Sequence, residues 1–286
     1  MAHAEKGCAM SNHMPNHKII LIIFCCFCAS LCHAQNYRIL LTNDDGIESP
    51  LLIALADKLA DEFDIVVSAP RENQSGSAHA SNSSTPLTVE KIYRGDTLFG
   101  YGVHGRPADA ARFGILQLGK DKPFDVVVSG INRGANVGNV AHLSGTVGAA
   151  MEGLYQGIPA IAVSQDPRAD TAVSIRLTRQ VIKQFQQQGA PKGTMISINV
   201  PAGDIKQVVA KPMGGSYLGY QPYTTTTENG NSTTYASGLT IQGGERNDND
   251  TKAYQEGVAT ITPLKFDWTD YALLETLKSW QLQVTP

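Results

Sequence analysis

Cysteine, an excess of basic residues and paired histidines are what this 286-residue chain lacks once its first few dozen residues are passed. All five cysteines, Cys8, Cys25, Cys26, Cys28 and Cys32, precede residue 33. If the leader described below is removed, none remains, and disulfides, thiolate zinc sites and cysteine nucleophiles are excluded together. Only His79, His104 and His142 follow residue 34, and no two stand at a ligand spacing, so zinc is not expected. Lysine and arginine number 23 against 26 acidic residues. Without Glu5, Lys6 and Lys18 the counts become 21 and 25, a net charge of −4. No basic stripe suits a polymeric nucleic-acid partner.

Long hydrophobic runs are lacking too, with one exception. Residues 18–34, "KIILIIFCCFCASLCHA", place a lysine before an apolar stretch that ends on small residues. That is the pattern of a secretory signal peptide with cleavage after Ala34, and the run is short of the about 20 apolar residues that a membrane-spanning helix requires. The expectation is an exported protein, periplasmic or secreted, with no membrane attachment after cleavage. Cys32 follows Ala29, Ser30 and Leu31 rather than a leucine and two small residues, which argues against lipidation. Met10 and Met14 are alternative starts that shorten the leader.

What is present is an alternation. Short apolar runs, "YRILLT", "FDIVVSAP", "FDVVVSG", "IPAIAVSQ" and "MISINVP", are separated by segments of helical period, among them "PLLIALADKLADEF" and "DTAVSIRLTRQVIKQFQQQG". Strands apolar almost throughout indicate a mostly parallel sheet covered on both faces, an α/β doubly wound, Rossmann-like fold. The organisation read from this is a core over residues 35–213, an extended β-hairpin arm over 214–257, and a strand and helix over 258–286 that return to the core. Within the arm, Asn229-Gly230 is the hairpin turn signal. Residues 80–86, "ASNSSTP", read as an insertion.

In open α/β sheets, ligands bind beyond the carboxyl ends of the strands, so the residues there carry the chemistry. The first run ends in Asn43, Asp44, Asp45 and Gly46. Ser49 and Pro50 already make an N-cap and first-position pair for the helix that follows, so the aspartates are not needed as caps. Adjacent carboxylates repel unless protons or a cation neutralise them, and a turn relaxed by Gly46 allows both to bend toward one ion. With oxygen donors only, that ion is hard: one Mg²⁺ or Mn²⁺, in preference to Ca²⁺. Ser144, Gly145 and Thr146 open another helix, whose free N–H groups and dipole suit a phosphate, beside Asn132, Gly134 and Asn136 in a glycine-containing loop.

These segments carry a resemblance. "RILLTNDDG", "VVSAPRENQSGSAH", "GRPAD", "FDVVVSGINRGANVG", "LSGTVGAAMEG", "PAIAVS", "INVP" and "GVATITPL" occur in the order of the SurE family of metal-dependent nucleotidases, from about Arg38 to Leu264. The resemblance implies that Asp44, Asp45, Ser75 and Asn132 hold one divalent cation, with Asp44, Asp45 and Asn132 taking part in catalysis. Asn43, Gly76, Asn136, Ser144, Gly145 and Thr146 are the candidates for the substrate phosphate. It further implies hydrolysis of nucleoside 5'- and 3'-monophosphates, with wider phosphatase or polyphosphatase activity, and a homodimer or tetramer assembled through the arm. A hard cation can polarise a phosphoryl oxygen and lower the pKa of a bound water, so direct attack by metal-activated water is the expected route.

Some positions depart from the family pattern. Arg106 stands where the family often has threonine, Ala110 where a small polar residue or cysteine is usual, and Gly257-Val258 where the family has Gly-Tyr. Asn73-Gln74-Ser75 is formally a glycosylation sequon, but a glycan there would block the metal loop. A receiver-type signalling domain also places an acidic pair after its first strand, yet it requires a later strand ending in a phosphoacceptor aspartate, and here those ends read Ser-Gly-Ile-Asn and Ala-Val-Ser-Gln. The other alternative is a non-catalytic nucleotide-binding protein on the same fold.

Overall fold

The apolar runs become adjacent strands because each can bury both faces. The computed structural model describes residues 37–215, 217–242, 248–282 and 284. The leader, its cleavage point and all five cysteines lie outside them. The strands are β1 (Arg38–Thr42), β2 (Asp64–Pro70), β3 (Thr88–Arg94), β4 (Thr97–His104), β5 (Val126–Arg133), β6 (Ala160–Gln165) and β7 (Thr194–Val200). After these come β8 (Val208–Ala210), β9 (Leu218–Tyr220), β10 (Thr224–Asn229), β11 (Ser232–Ala236), β12 (Leu239–Ile241) and β13 (Ala259–Lys265). The helices are α1 (Pro50–Leu59), α2 (Pro107–Phe113), α3 (Gly145–Tyr155), α4 (Thr171–Gln188), α5 (Asp250–Gln255) and α6 (Tyr271–Ser279).

Among the described residues, one sheet runs in the order β3-β4-β2-β1-β5-β6-β7-β13-β8. From β2 through β7 its neighbours are parallel, while β3 and β13 run antiparallel to β4 and β7. The chain leaves β1 toward β2 on one side and returns to β5 on the other, so the strand order reverses between β1 and β5. A crevice opens at such a point, and β1 and β5 end in the two acidic and asparagine motifs singled out above.

Alternation along β1 divides the core. Ile39 and Leu41 face α1 and α4, packing with Leu52, Leu55, Leu59, Ile182 and Phe185. Leu40 faces the other way, with Val127, Ala162, Val147, Ala150 and Leu154 of α3. Each fully buried Leu or Ile stabilises the fold by about 1.5–3 kcal/mol relative to exposure. The helices that flank the crevice are therefore fixed to the sheet by packing, before any polar contact is counted.

Several elements differ from the expectation. β3 and β4 form an antiparallel pair that the alternation of apolar runs and helical segments does not include; β3 is mostly exposed and charged, with no apolar run to betray it. The arm's turn centres on Gly230 and Asn231, since Asn229 pairs with Ser232, one residue later than the Asn-Gly signal. Ser49 occupies the N-cap of α1, but its hydroxyl makes no cap hydrogen bond. The short α5 was not anticipated. Its Asp250, 2% exposed, accepts from the N–H groups of Gly138 and Gly214 and so pins the root of the arm to the loop after β5.

Candidate active site

Three loops converge at the switch point. The first follows β1. Asn43 is fully buried, and both ends of its amide are taken: Nδ2 donates to Gly46 O at 2.9 Å, and Oδ1 accepts from Gly46 N–H at 3.2 Å. This clamp shapes the turn that presents Asp44 and Asp45. Gln74 N–H donates to Asp44 O at 2.7 Å, sewing the loop after β2 to the same turn.

The two carboxylates have different surroundings. Asp44 is 3% exposed, and its Oδ1 accepts from the Thr146 hydroxyl at the start of α3. Burial pushes its pKa up to about 6; the Thr146 hydroxyl works against that rise, and the charge of Asp45 adds to it. Asp45 is also raised, chiefly by burial, with hydrogen bonds opposing. Its Oδ1 accepts from Asn73 Nδ2 at 3.3 Å and its Oδ2 from Arg133 N–H at 3.4 Å. It borders a cleft of about 400 Å³ lined by Asn73, Arg133, Gln165 and Pro167.

Ser75 and Asn132 reach this pair through their neighbours. Ser75 is exposed, and its N–H donates to Asn73 Oδ1 at 3.0 Å, so the Asn73 amide bridges the Ser75 backbone to Asp45. Asn132 donates through Nδ2 to Gly134 O at 2.8 Å, which leaves Oδ1 as its donor atom for a cation, and Arg133 beside it contacts Asp45. Gly76, exposed, follows Ser75. Among the described residues no three His, Cys, Asp or Glu side chains converge. A cation at this place would meet two carboxylates and neutral oxygens, a hard donor set. Two crowded carboxylates with raised pKa values are what such an ion relieves, and in that respect the residues fit it.

The N-terminus of α3 closes the other side. Ser144 is its N-cap, and its Oγ accepts from Val147 N–H at 3.1 Å. A Cβ on Gly145 would stand 2.7 Å from both Asp44 Cβ and Ser77 Oγ, so only glycine lets the helix approach this closely. Thr146 serves Asp44 with its hydroxyl and its backbone N–H. Asn136 lies deeper: its N–H donates to Asn199 Oδ1 at 2.7 Å and its Nδ2 to Ser164 Oγ at 2.8 Å.

The profile described as "Survival protein SurE" matches residues 39–219. The chain belongs to the SurE family. A 5'-nucleotidase SurE from Thermoanaerobacter sp. (strain X514) is 34% identical over 254 residues, covering 86% of this chain and 99% of the relative. Another from Petrotoga mobilis is 36% identical over 250 residues, covering 85% and 98%. The crystal structure of SurE protein from Aquifex aeolicus superposes with a TM-score of 0.73 at 31% identity, covering 84% of this chain and 98% of that one. The SurE-like architecture thus extends over nearly all of the described chain.

Sequence reasoning passed over three parts of this SurE-family site. Asn73 was read only as a sequon, and Ser77 not at all. The third is a buried network beside the loop after β2. Glu152, 1% exposed, accepts from Arg112 Nε at 2.9 Å and Gln156 Nε2 at 2.9 Å, and its Oε2 lies 2.8 Å from His79 Nε2. The glutamate inside "GAAMEG" was a signal, because a carboxylate in an otherwise small and apolar helix requires a buried partner.

Proposed function

We propose that the chain is a divalent-metal-dependent phosphomonoesterase that converts nucleoside 5'- and 3'-monophosphates to nucleoside and phosphate by direct hydrolysis. The observation that carries this reading is the Asp44–Asp45 pair, raised by burial and held at the switch point by Thr146, Asn73 and the Arg133 backbone, in a chain of the SurE family whose relatives are named 5'-nucleotidases. Phosphate monoesters are slow to hydrolyse, and electrostatic stabilisation is the large term available to an enzyme. The chemistry that a divalent cation supplies when bound is Lewis-acid polarisation and acidification of water. Asp44, Asp45, Ser75 and Asn132 would hold it. The chain's own contribution is preorganisation: Thr146 fixes the Asp44 carboxylate, Asn73 ties the serine loop to Asp45, and the α3 N-terminus favours negative charge in front of it.

The deciding assay is phosphate release from nucleoside 5'- and 3'-monophosphates with and without Mn²⁺. Release that depends on the cation is expected. Nucleotide binding without release under Mg²⁺ or Mn²⁺ would instead make the chain a non-catalytic nucleotide-binding protein.

Two further proposals accompany this one. Export follows from the leader, with the mature chain beginning near Gln35, and terminal sequencing of exported material tests it. Assembly into a homodimer or tetramer through residues 214–257 is supported by the hairpin β10–β11, all of whose residues are exposed, together with Tyr220, Tyr223 and Ile241. Light scattering on the intact protein, and on a version lacking residues 221–243, tests that assembly.

A further inference from the structure

The loop after β2 crosses the first turns of α3 with almost no clearance. Ala78 N–H donates to Leu143 O at 3.1 Å, and a Cβ on Gly148 would stand 1.9 Å from Ala78 O. Ala78 itself has φ +51°, in the left-handed region that alanine seldom enters. His79 then locks onto Glu152. The residue just before this pinned crossing is Ser77, and its Oγ is buried.

Ser77 Oγ lies 2.7 Å, and Asp44 Oδ2 3.0 Å, from the point where a Cβ on Gly145 would stand. The hydroxyl and the carboxylate therefore meet across a residue with no side chain. Yet the hydroxyl has no hydrogen-bond partner among the described residues. Buried polar groups in folded proteins are nearly always satisfied, by protein, ordered water or a bound group, so a hydroxyl left without a protein partner beside Asp44 is free to serve a ligand. Thr146 does not compete for that role, because its hydroxyl is spent on Asp44 Oδ1.

We infer that Ser77 is a substrate-binding residue whose Oγ–H donates to a non-bridging oxygen of the phosphate monoester. The inference rests on the phosphomonoesterase reading above. A phosphate-monoester dianion is rich in acceptors and has no proton to give, and the adjacent helix N-terminus favours its negative charge. Ser77 adds a neutral donor there without adding charge to the cation's cradle. Its role is thereby distinct from that of Ser75, two residues earlier on the same loop.

The test separates phosphate from metal. The full chain, as wild type, Ser77→Ala and Ser77→Cys, is titrated calorimetrically with Mn²⁺, and then with inorganic phosphate on the Mn²⁺-loaded protein. In Ser77→Ala the phosphate Kd is expected to rise about tenfold or more, since a hydrogen bond to a charged acceptor is lost. The Mn²⁺ Kd should stay within about twofold, and the melting temperature should hold or rise, because an unpaired buried hydroxyl has been removed. Ser77→Cys has nearly the same size and only a weak donor; it is expected to lose phosphate affinity too and carries the test if the alanine variant does not fold. Phosphate affinity equal to wild type in the folded variants overturns the inference. So does a fall in Mn²⁺ affinity, which would make Ser77 a metal ligand. A wild type that neither binds phosphate nor hydrolyses nucleoside monophosphates removes the phosphomonoesterase reading and this inference with it, whereas an active wild type with unaffected variants removes the inference alone.

Discussion

Thr146 and Asp44, 102 residues apart in the chain, are joined by a hydrogen bond from the threonine hydroxyl to Oδ1 of the aspartate, where α3 begins behind the end of β1. Both residues are buried, so the bond fixes the carboxylate in one orientation at the positive end of a helix. Thr146→Val keeps the shape and removes the donor. The metal-free protein is expected to lose about 1–3 kcal/mol, and the rise in Tm on adding Mn²⁺ should shrink. Thr146→Ser, which restores the hydroxyl, should recover most of both. A valine variant with the wild-type Mn²⁺ shift would show that the bond does not orient a metal ligand.

Asp45→Asn removes one charge from the pair while keeping its size. The carboxylates are raised by burial, so the metal-free variant should be as stable as wild type or slightly more so. Mn²⁺ should then raise its Tm less than that of wild type, and turnover should fall by orders of magnitude. Melting curves and phosphatase rates across a Mn²⁺ titration read both quantities. Equal shifts with unchanged turnover would make Asp45 structural.

The buried carboxylate of Glu152 predicts an acid limb in stability. Burial alone would raise its pKa, but hydrogen bonds from His79, Arg112 and Gln156 hold it below the ordinary glutamate range. Asp109 and Tyr155 face the same arginine. A depressed carboxylate stabilises the fold above its unfolded pKa, and that contribution is lost as pH falls through the lowered folded value. Glu152→Gln should therefore cost about 1–3 kcal/mol near neutral pH, and the gap to wild type should close on acidification below about pH 4. Urea melts of the metal-free proteins over that range measure it, and a gap that stays constant with pH refutes the charge-based account.

Gly148→Ala reverses the usual sign of a helical glycine substitution. Inside a helix the change is worth about 1 kcal/mol in favour of alanine. Here the new Cβ would stand 1.9 Å from Ala78 O and 2.5 Å from Ala78 C, backbone atoms that do not give way cheaply. A net loss of about 1–3 kcal/mol is expected, with faster hydrogen exchange confined to the loop over residues 75–79. A variant more stable than wild type would mean that this crossing is not tight in solution.

Much of the fold was legible because its signals are local. β1, β2, β5, β6 and β7 are apolar runs; α1 and α4 show their period; Asp44 and Asp45 announce themselves by crowding next to a helix that does not need them. β3 was not legible, because this edge strand is exposed at all but Val89 and Ile92 and has no apolar run to detect. Asp44 and Asp45 could be named from the residues because they follow β1 directly, and strand ends in a parallel sheet gather at one rim. Ser75, five residues beyond β2, and Asn132, inside β5, were named only through the family resemblance.

Tertiary structure decided what each group touches. Composition says that residue 44 is acidic; only the approach of α3, permitted by Gly145, buries it, raises its pKa and supplies Thr146 as its partner. The sequence placed Thr146 at a helix N-terminus and so made it a phosphate candidate, while the fold turned its hydroxyl to a carboxylate. The same packing pinned Ala78 on Gly148 and left the Ser77 hydroxyl buried near Asp44 without a protein partner. The division has a physical cause. Backbone propensity and hydrophobic period act over a few residues, whereas burial and hydrogen-bond pairing depend on segments about a hundred residues apart in sequence, brought together only when the sheet closes on its helices.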